Sequence, residues 1–257
     1  MEIIIIPLVA FLVSILTFFS GFGLGTILTP AFMLFFPVEL SIGLTGIVHF
    51  LNNLFKLFLV GKNSNKEILI RFGIPAVIAA FIGAWVLVQI PTSQVLYSYS
   101  AFGKFVEVSI LKFTMALLFA FFAVLDLVPF LNNIQFGKKQ LPIGGVLSGF
   151  FGGLSGNQGA LRSAFLIKVG LSKEVFVATT VVISCFVDFT RLSVYATNLK
   201  LSDLNTNATL IIVATLAAFL GAFLGNKLLK KVTLQFVQTT VAILLILMSL
   251  GLGLGVV

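Results

Sequence analysis

Charged residues are scarce in this chain, and their scarcity excludes a water-soluble fold. Asp, Glu, Lys and Arg make up 9% of the 257 residues, whereas soluble domains carry about 25%. Hydrophobic residues make up 59%. They lie in continuous runs of membrane-spanning length rather than in the short alternating strands of a membrane barrel. The sequence therefore predicts an all-α polytopic membrane protein, with one transmembrane domain over residues 1–257.

Cysteine and histidine are rarer still, and this restricts the chemistry. Cys185 is the only cysteine, so an internal disulfide and a cysteine-rich metal site are excluded. His49 is the only histidine, and neither a GxSxG nor an HExxH motif occurs, which argues against an enzyme. We expect no cofactor and no metal ion.

The N-terminal stretch lacks the basic region with which a cleaved signal peptide begins. MEIIIIPLVAFLV carries Glu2 and no Lys or Arg, so we expect it to belong to the mature membrane domain. The net charge of +8 favours cytoplasmic loops that face anionic lipid over nucleic-acid binding.

The chain contains two copies of one unit, which we place at residues 1–135 and 136–257. Matching positions share an offset of 135: Ser20-Gly21 with Ser155-Gly156, Glu39 with Glu174, Asn53 with Asp188, and Lys56 with Arg191. AAFIGA, at 79–84, recurs as AAFLGA, at 217–222. Each unit is predicted to be a glycine-broken pair of half-segments followed by three spanning helices.

Loop charge indicates whether the broken elements cross the membrane or return to their own side. If both are re-entrant, ten basic residues share one side: Lys62, Lys66, Arg71, Lys138, Lys139, Lys168, Lys173, Lys227, Lys230 and Lys231. Because cytoplasmic loops are enriched in Lys and Arg, we expect re-entrant hairpins and both termini in the periplasm. Three crossings in each unit then make the second unit an inverted copy of the first. The first segment, 3–19, is also long enough to cross alone.

The glycine-rich breaks indicate an anion site near the membrane centre. Irregular backbone at that depth is tolerated where it is buried in protein or lines a cavity. The helices that begin after each break present free N–H groups to an anion. The candidate substrate-binding residues here are Gly23, Gly25, Thr26, Gly156, Asn157, Gln158 and Arg162. Other glycines suit close helix packing better; they are Gly83, Gly145, Gly149, Gly153 and Gly221.

Polar residues also recur on one face of the first long helix in each unit. Charged groups inside a bilayer face a cavity or pair with one another, so His49, Asn53, Lys56, Asp188 and Arg191 are further candidates for substrate binding. At i, i+4 and i+7 the two helices carry His49, Asn53 and Lys56 in HFLNNLFK, and Ser184, Asp188 and Arg191 in SCFVDFTR.

These polar residues have structural interpretations as well. Asp188 and Arg191 could form a neutralising clasp within their helix. Lys56 could snorkel to the membrane surface, and Arg162 could anchor to headgroups. His49 could be a hydrogen-bonded packing residue, or His49 or Asp188 could couple protons to transport.

At these motifs the sequence resembles the sulfite exporter TauE/SafE family of membrane transporters. The resemblance covers nearly the whole chain. It rests on GFGLGTILTP (Gly21–Pro30), GGLSGNQGALRSAF (Gly152–Phe165), HFLNNLFK, VDFTRL and the two AAF-G-A elements. The first glycine motif departs from the plainest family pattern, because its glycines alternate with other residues. The resemblance implies a secondary transporter of the bacterial inner membrane that exports a small sulfur-containing oxyanion, such as sulfite.

The expected function is therefore anion export, with the anion bound between two broken helical hairpins. One alternative is a passive anion channel, which slow and saturable flux would exclude. Another is an exporter of organosulfonates such as sulfoacetate. The expected partners are the small anion and the lipid bilayer, without nucleic acid, and formation of a homodimer is left open.

Overall fold

The structure is a computed structural model, and it describes residues 1–18, 20, 22–101, 104–127, 137–228 and 234–257. The helices in these residues are α1 (Glu2–Thr17), α2 (Gly25–Met33), α3 (Val38–Val60), α4 (Lys66–Gln89), α5 (Ile110–Leu127), α6 (Leu141–Ser155), α7 (Gly159–Leu166), α8 (Lys173–Tyr195), α9 (Leu201–Thr206), α10 (Ala208–Leu228) and α11 (Leu234–Gly253). Helix α4 passes through a π-helical stretch, Leu69–Gly73. Single 3-10 turns lie at Gly61–Asn63, Lys138–Gln140 and Ile167–Val169.

Six helices of the described residues are long and apolar enough to span a membrane, which confirms the predicted all-α polytopic class. They are Val38–Asn63, Lys66–Gln89, Ile110–Leu127, Lys173–Tyr195, Ala208–Lys227 and Gln235–Gly253. Three lie before residue 135 and three after it. Helix α1, with 16 residues, is shorter than the roughly 20 that a spanning helix needs.

The chain reverses direction between α6 and α7. At the ends of the two helices that lie away from the turn, a Cβ on Gly144 would lie 2.5 Å from Phe165 Cγ. Near the turn, the Ser148 hydroxyl donates to the Gln158 carbonyl at 3.1 Å. Gly156 ends α6 with a positive φ of 79°, a conformation that glycine adopts without strain. These two helices therefore form a hairpin, and α1 and α2 also contact each other.

Helix α6 packs on α4 through a row of glycines. Gly145, Gly149 and Gly153, spaced by four, lie directly against the backbone carbonyls of Phe72, Ala76 and Ala80, which have the same spacing. Gly83 and Gly221 approach the carbonyls of Phe150 and Phe11 in the same way. The packing interpretation of these five glycines is therefore confirmed, because a Cβ would push the helices apart.

Helices of one half of the chain pack on helices of the other half, so the two halves exchange packing partners. Helix α6 of the second half packs on α4 of the first, and α1 of the first half packs on α10 of the second. The remaining long helices pair as α3 with α8 and α5 with α11. Both α3 and α8 are 23 residues long.

Replacing Gly149 with alanine is expected to lower the melting temperature by roughly 5–10 °C. The new Cβ would collide with the Ala76 carbonyl, and such overpacking costs about 1–3 kcal/mol. The matched control is Gly253→Ala in α11, where the one described atom outside its own helix within 4 Å of the new Cβ is Ala116 Cβ at 3.8 Å. A thermal melt of both purified variants checks this, and equal melting temperatures would contradict the glycine contact.

A two-stranded antiparallel sheet between α4 and α5 was not predicted. Strand β1 (Val95–Ala101) pairs with β2 (Lys104–Ser109), with an irregularity between Val95 and Tyr97. The Tyr97 hydroxyl donates to the carbonyl of Gly253, and the Tyr99 hydroxyl donates to that of Leu254 at 2.6 Å. These bonds hold the hairpin on the end of α11. Helix α5 follows the hairpin directly, beginning at Ile110, and residues 128–131 lie outside the described part.

Candidate functional site

Helices α3 and α8 pack against each other and run in opposite directions. Gly43 lies against Leu199, and Gly46, further along α3, lies against Leu192, which is earlier in the sequence. The two segments therefore run in opposite directions. Further along, Asn53 Nδ2 donates to Asp188 Oδ2 at 2.9 Å. The structure thus brings together two positions that the offset of 135 makes equivalent.

Asp188 is fully buried and accepts hydrogen bonds from three side chains. His49 Nδ1 donates to Oδ2 at 2.6 Å, and Asn53 Nδ2 donates to the same oxygen. Arg191 Nε donates to Oδ1 at 2.9 Å. The predicted Asp188–Arg191 clasp is therefore present, but it is one part of a network that joins both helices. A carboxylate with both oxygens engaged in this way tolerates burial.

The imidazole of His49 occupies space that Gly23 leaves open. A Cβ on Gly23 would lie 2.7 Å from His49 Nε2. Gly25, on the same break, lies between Thr45 and the carbonyl of Gly156: its Cβ would be 3.6 Å from Thr45 Cγ2 and 3.7 Å from Gly156 O. A side chain at position 23 would therefore collide with His49, whereas one at position 25 would make ordinary contacts, and the Gly25 distances show that this break lies close to α3 and to the other break.

The break between α1 and α2 contacts the break between α6 and α7. A Cβ on Gly159 would lie 2.5 Å from the Cα of Phe22, and the Ser163 hydroxyl donates to the Ser20 carbonyl at 2.9 Å.

Each break is also braced in the same way. The hydroxyl of Ser20 accepts from the N–H of Phe22 at 3.2 Å, and that of Ser155 accepts from the N–H of Asn157 at 3.4 Å. The bracing serines and their partners are again 135 residues apart.

A cavity of about 10 Å³, which is room for a single water, lies on one side of Asp188. We call it the Lys56 cavity; it is lined by Thr17, Phe18, Phe22, Gly23, Asn53, Lys56, Arg162, Thr180, Val181 and Ser184. Arg162 Nη1 donates to Ser184 Oγ at 2.5 Å, and Lys56 Nζ lies 5.3 Å from the centre of the Phe18 ring. Lys56 is 4% exposed and Arg162 is 2% exposed. Lys56 therefore does not snorkel to the membrane surface, and Arg162 does not anchor to headgroups.

Arg191 directs the end of its guanidinium to the other side of Asp188. A Cβ on Gly156 would lie 2.8 Å from Nη1, and one on Gly46 would lie 3.7 Å from Nη2. Neither terminal nitrogen makes a hydrogen bond of normal geometry to a described residue, although the side chain is fully buried and the Tyr195 hydroxyl lies close enough to interact with it. Tyr195, one turn further along α8, directs its hydroxyl to the carbonyl of Gly153.

Several other buried polar groups around the breaks have no hydrogen-bond partner among the described residues. They are the hydroxyls of Thr26 and Thr45 and both side-chain amide atoms of Asn157 and Gln158. More than about 90% of buried polar groups in proteins are satisfied. A concentration of unsatisfied groups, most of them able to donate, is therefore typical of a site that holds a ligand.

The family follows from a comparison with protein-family models. The model for the sulfite exporter TauE/SafE matches residues 6–252. The chain belongs to that family. Comparison with curated proteins and with solved structures finds no match.

In this family member the twelve predicted site residues lie at the α3–α8 crossing or at the two breaks. Asn53, Lys56 and Arg162 line the Lys56 cavity, and Arg191 faces the opposite side. Sequence reasoning missed Thr45 and Thr180. Both stand four residues before a polar position on the same helix face, His49 and Ser184, and they are themselves 135 apart. Extending the repeat by one helical turn would have found them.

Proposed function

We propose that this chain exports a small sulfur-containing oxyanion, with sulfite as the first candidate, across the bacterial inner membrane. The observation that carries the proposal is an excess of buried positive charge. Lys56, Arg162 and Arg191 are all buried, and Asp188 is the one buried carboxylate among them in the described residues. Burying a net positive charge in a membrane protein is costly, and a bound anion lowers that cost.

We place the anion at the Lys56 cavity, which has to widen from the conformation described here to admit it. Lys56 and Arg162 line it with Asn53, Thr180 and Ser184. The Ser184 hydroxyl accepts from Arg162, and the Thr180 hydroxyl donates to the Val177 carbonyl. Charge-assisted hydrogen bonds of this kind are about twice as strong as neutral ones. The cavity admits only a water in this conformation, so its present volume does not rank sulfite against an organosulfonate.

Two side chains close the route on either side of Asp188. Phe18 lines both the Lys56 cavity and a pocket of about 80 Å³ that Asn63 and Lys173 also line. Tyr195 lines a pocket of about 470 Å³ beyond Arg191. We infer that the anion enters past Phe18 and leaves past Tyr195, each opening while the other is closed.

The inverted repeat and the periplasmic termini belong to the same proposal. They are supported by three long apolar helices in each half, by the exchange of packing partners, and by the equal lengths of α3 and α8. Lys138 also pairs with Glu67 at 2.9 Å, so two of the basic clusters assigned to the cytoplasm lie together. Export of a dianion down an inside-negative potential releases about 4.6 kcal/mol at 100 mV, so transport needs no obligatory proton.

Proteoliposomes that contain the purified chain are expected to show saturable flux of labelled sulfite. Sulfate, thiosulfate and sulfoacetate, added separately, rank the anions by competition. Empty liposomes are the control. Folded protein with no flux of any of these anions would contradict the proposal, and flux that never saturates would favour a channel.

A further inference from the structure

We propose that the transporter has a second anion position, at the free end of Arg191, on the opposite side of Asp188 from the Lys56 cavity. Gly156 and the hydroxyl of Thr45 complete it. The inference rests on the proposed function, and it divides the site into two positions that the anion occupies in turn.

The repeat offset generates this second position from the first. The Lys56 cavity takes Lys56 from α3, and Thr180 and Ser184 from α8. The equivalent residues, 135 positions away in the sequence, are Arg191 on α8 and Thr45 and His49 on α3. These residues are neighbours: Gly25 lies against both Thr45 and His49, and Gly156 joins Gly25 to Arg191.

The second position also has unsatisfied donors. Nη1 and Nη2 of Arg191 make no hydrogen bond of normal geometry to a described residue, and the Thr45 hydroxyl and the Asn157 amide have no partner there either. All three side chains are at most 2% exposed. The Tyr195 hydroxyl lies near the guanidinium and would have to share it with the anion. The planar fork of an arginine matches two oxygens of an oxyanion. Its Nε is held by Asp188, which fixes the fork's direction toward Gly156.

Asp188 separates the two positions. Lys56 and Arg162 face the anion on one side and Arg191 on the other, while the carboxylate repels an anion that lies between them. Transfer from one position to the other therefore requires the Asp188 network to rearrange. The bound anion therefore passes from one position to the other at the place where α3 and α8 cross.

Thr45→Val and Thr180→Val test the division into two positions. Valine has the shape of threonine. The Thr45 hydroxyl has no partner to lose among the described residues, so the melting temperature of Thr45→Val should not fall, whereas Thr180→Val should melt slightly lower because the Thr180 hydroxyl donates to the Val177 carbonyl at 2.9 Å. Thr215→Val, on α10, removes an equally unsatisfied hydroxyl from a helix that contributes no residue to either position.

Sulfite flux is measured in right-side-out and inside-out vesicles. Thr45→Val is expected to raise the half-saturating concentration about tenfold from the face nearer Tyr195, and little from the other. Thr180→Val should do the reverse, and Thr215→Val should leave both unchanged. An equal effect of Thr45→Val on both faces, or none on either, would overturn the second position.

Equilibrium binding separates failure of this inference from failure of the proposed function. If the wild type moves no tested anion, the proposed function fails. The second position is then tested by measuring the binding of labelled sulfite and labelled sulfate to purified Lys56→Gln protein. Residual binding that Thr45→Val removes supports the Arg191 position. No residual binding, or binding that Thr45→Val leaves unchanged, overturns it.

Discussion

Replacing Lys56 with glutamine is expected to abolish sulfite flux and to leave the melting temperature equal or higher. No acidic side chain pairs with Lys56 among the described residues, and it is buried beside the Phe18 ring. Removing an unpaired buried cation relieves a desolvation cost. If that cation holds the anion, the same change weakens binding by about 30-fold to 1,000-fold.

The opposite signs of the two effects identify a binding role. A residue that serves packing alone would lose stability and function together. Lys62→Gln is the matched control, because Lys62 is exposed at the end of the same helical segment. Melting temperature and vesicle flux are measured on both variants. Normal flux in Lys56→Gln protein would remove Lys56 from the anion route.

Some of this arrangement could be predicted from the sequence because it depends on periodicity. The spacing of His49, Asn53 and Lys56 places them on one helix face, and the offset of 135 identifies their equivalents on α8. The offset gives equivalence, but it does not give distance. That Asn53 and Asp188 touch depends on how two helices cross, and no local pattern encodes that crossing.

Two features escaped the sequence for separate physical reasons. The burial of Lys56 depends on Phe18, which reaches it from a distant part of the chain. Such a contact is tertiary, so helical position alone favours snorkelling equally well. The β1–β2 hairpin did carry a signal, since VLYSYSA and KFVEVS alternate polar and apolar residues as strands do. That signal is short, and it lies between much stronger helical runs.

Replacing Asp188 with asparagine is expected to tighten anion binding at least about tenfold and to reduce flux by a similar factor or more. The carboxylate is the one buried negative charge beside the three buried cations of the described part. Without it, the anion becomes the main partner of those cations. Asparagine keeps an oxygen that can accept from Arg191 Nε, so the α3–α8 crossing retains part of its network.

Tighter binding with slower flux is the expected mark of a residue that drives the anion from one position to the next. A transporter gains speed when its bound states are close in energy, and a trapped anion leaves slowly. Glu107→Gln removes an exposed carboxylate from β2 and serves as the matched control. Equilibrium binding and vesicle flux are compared on the same preparations. Weaker binding together with lost flux would instead mean that Asp188 only holds the two helices together, and that the anion passes elsewhere.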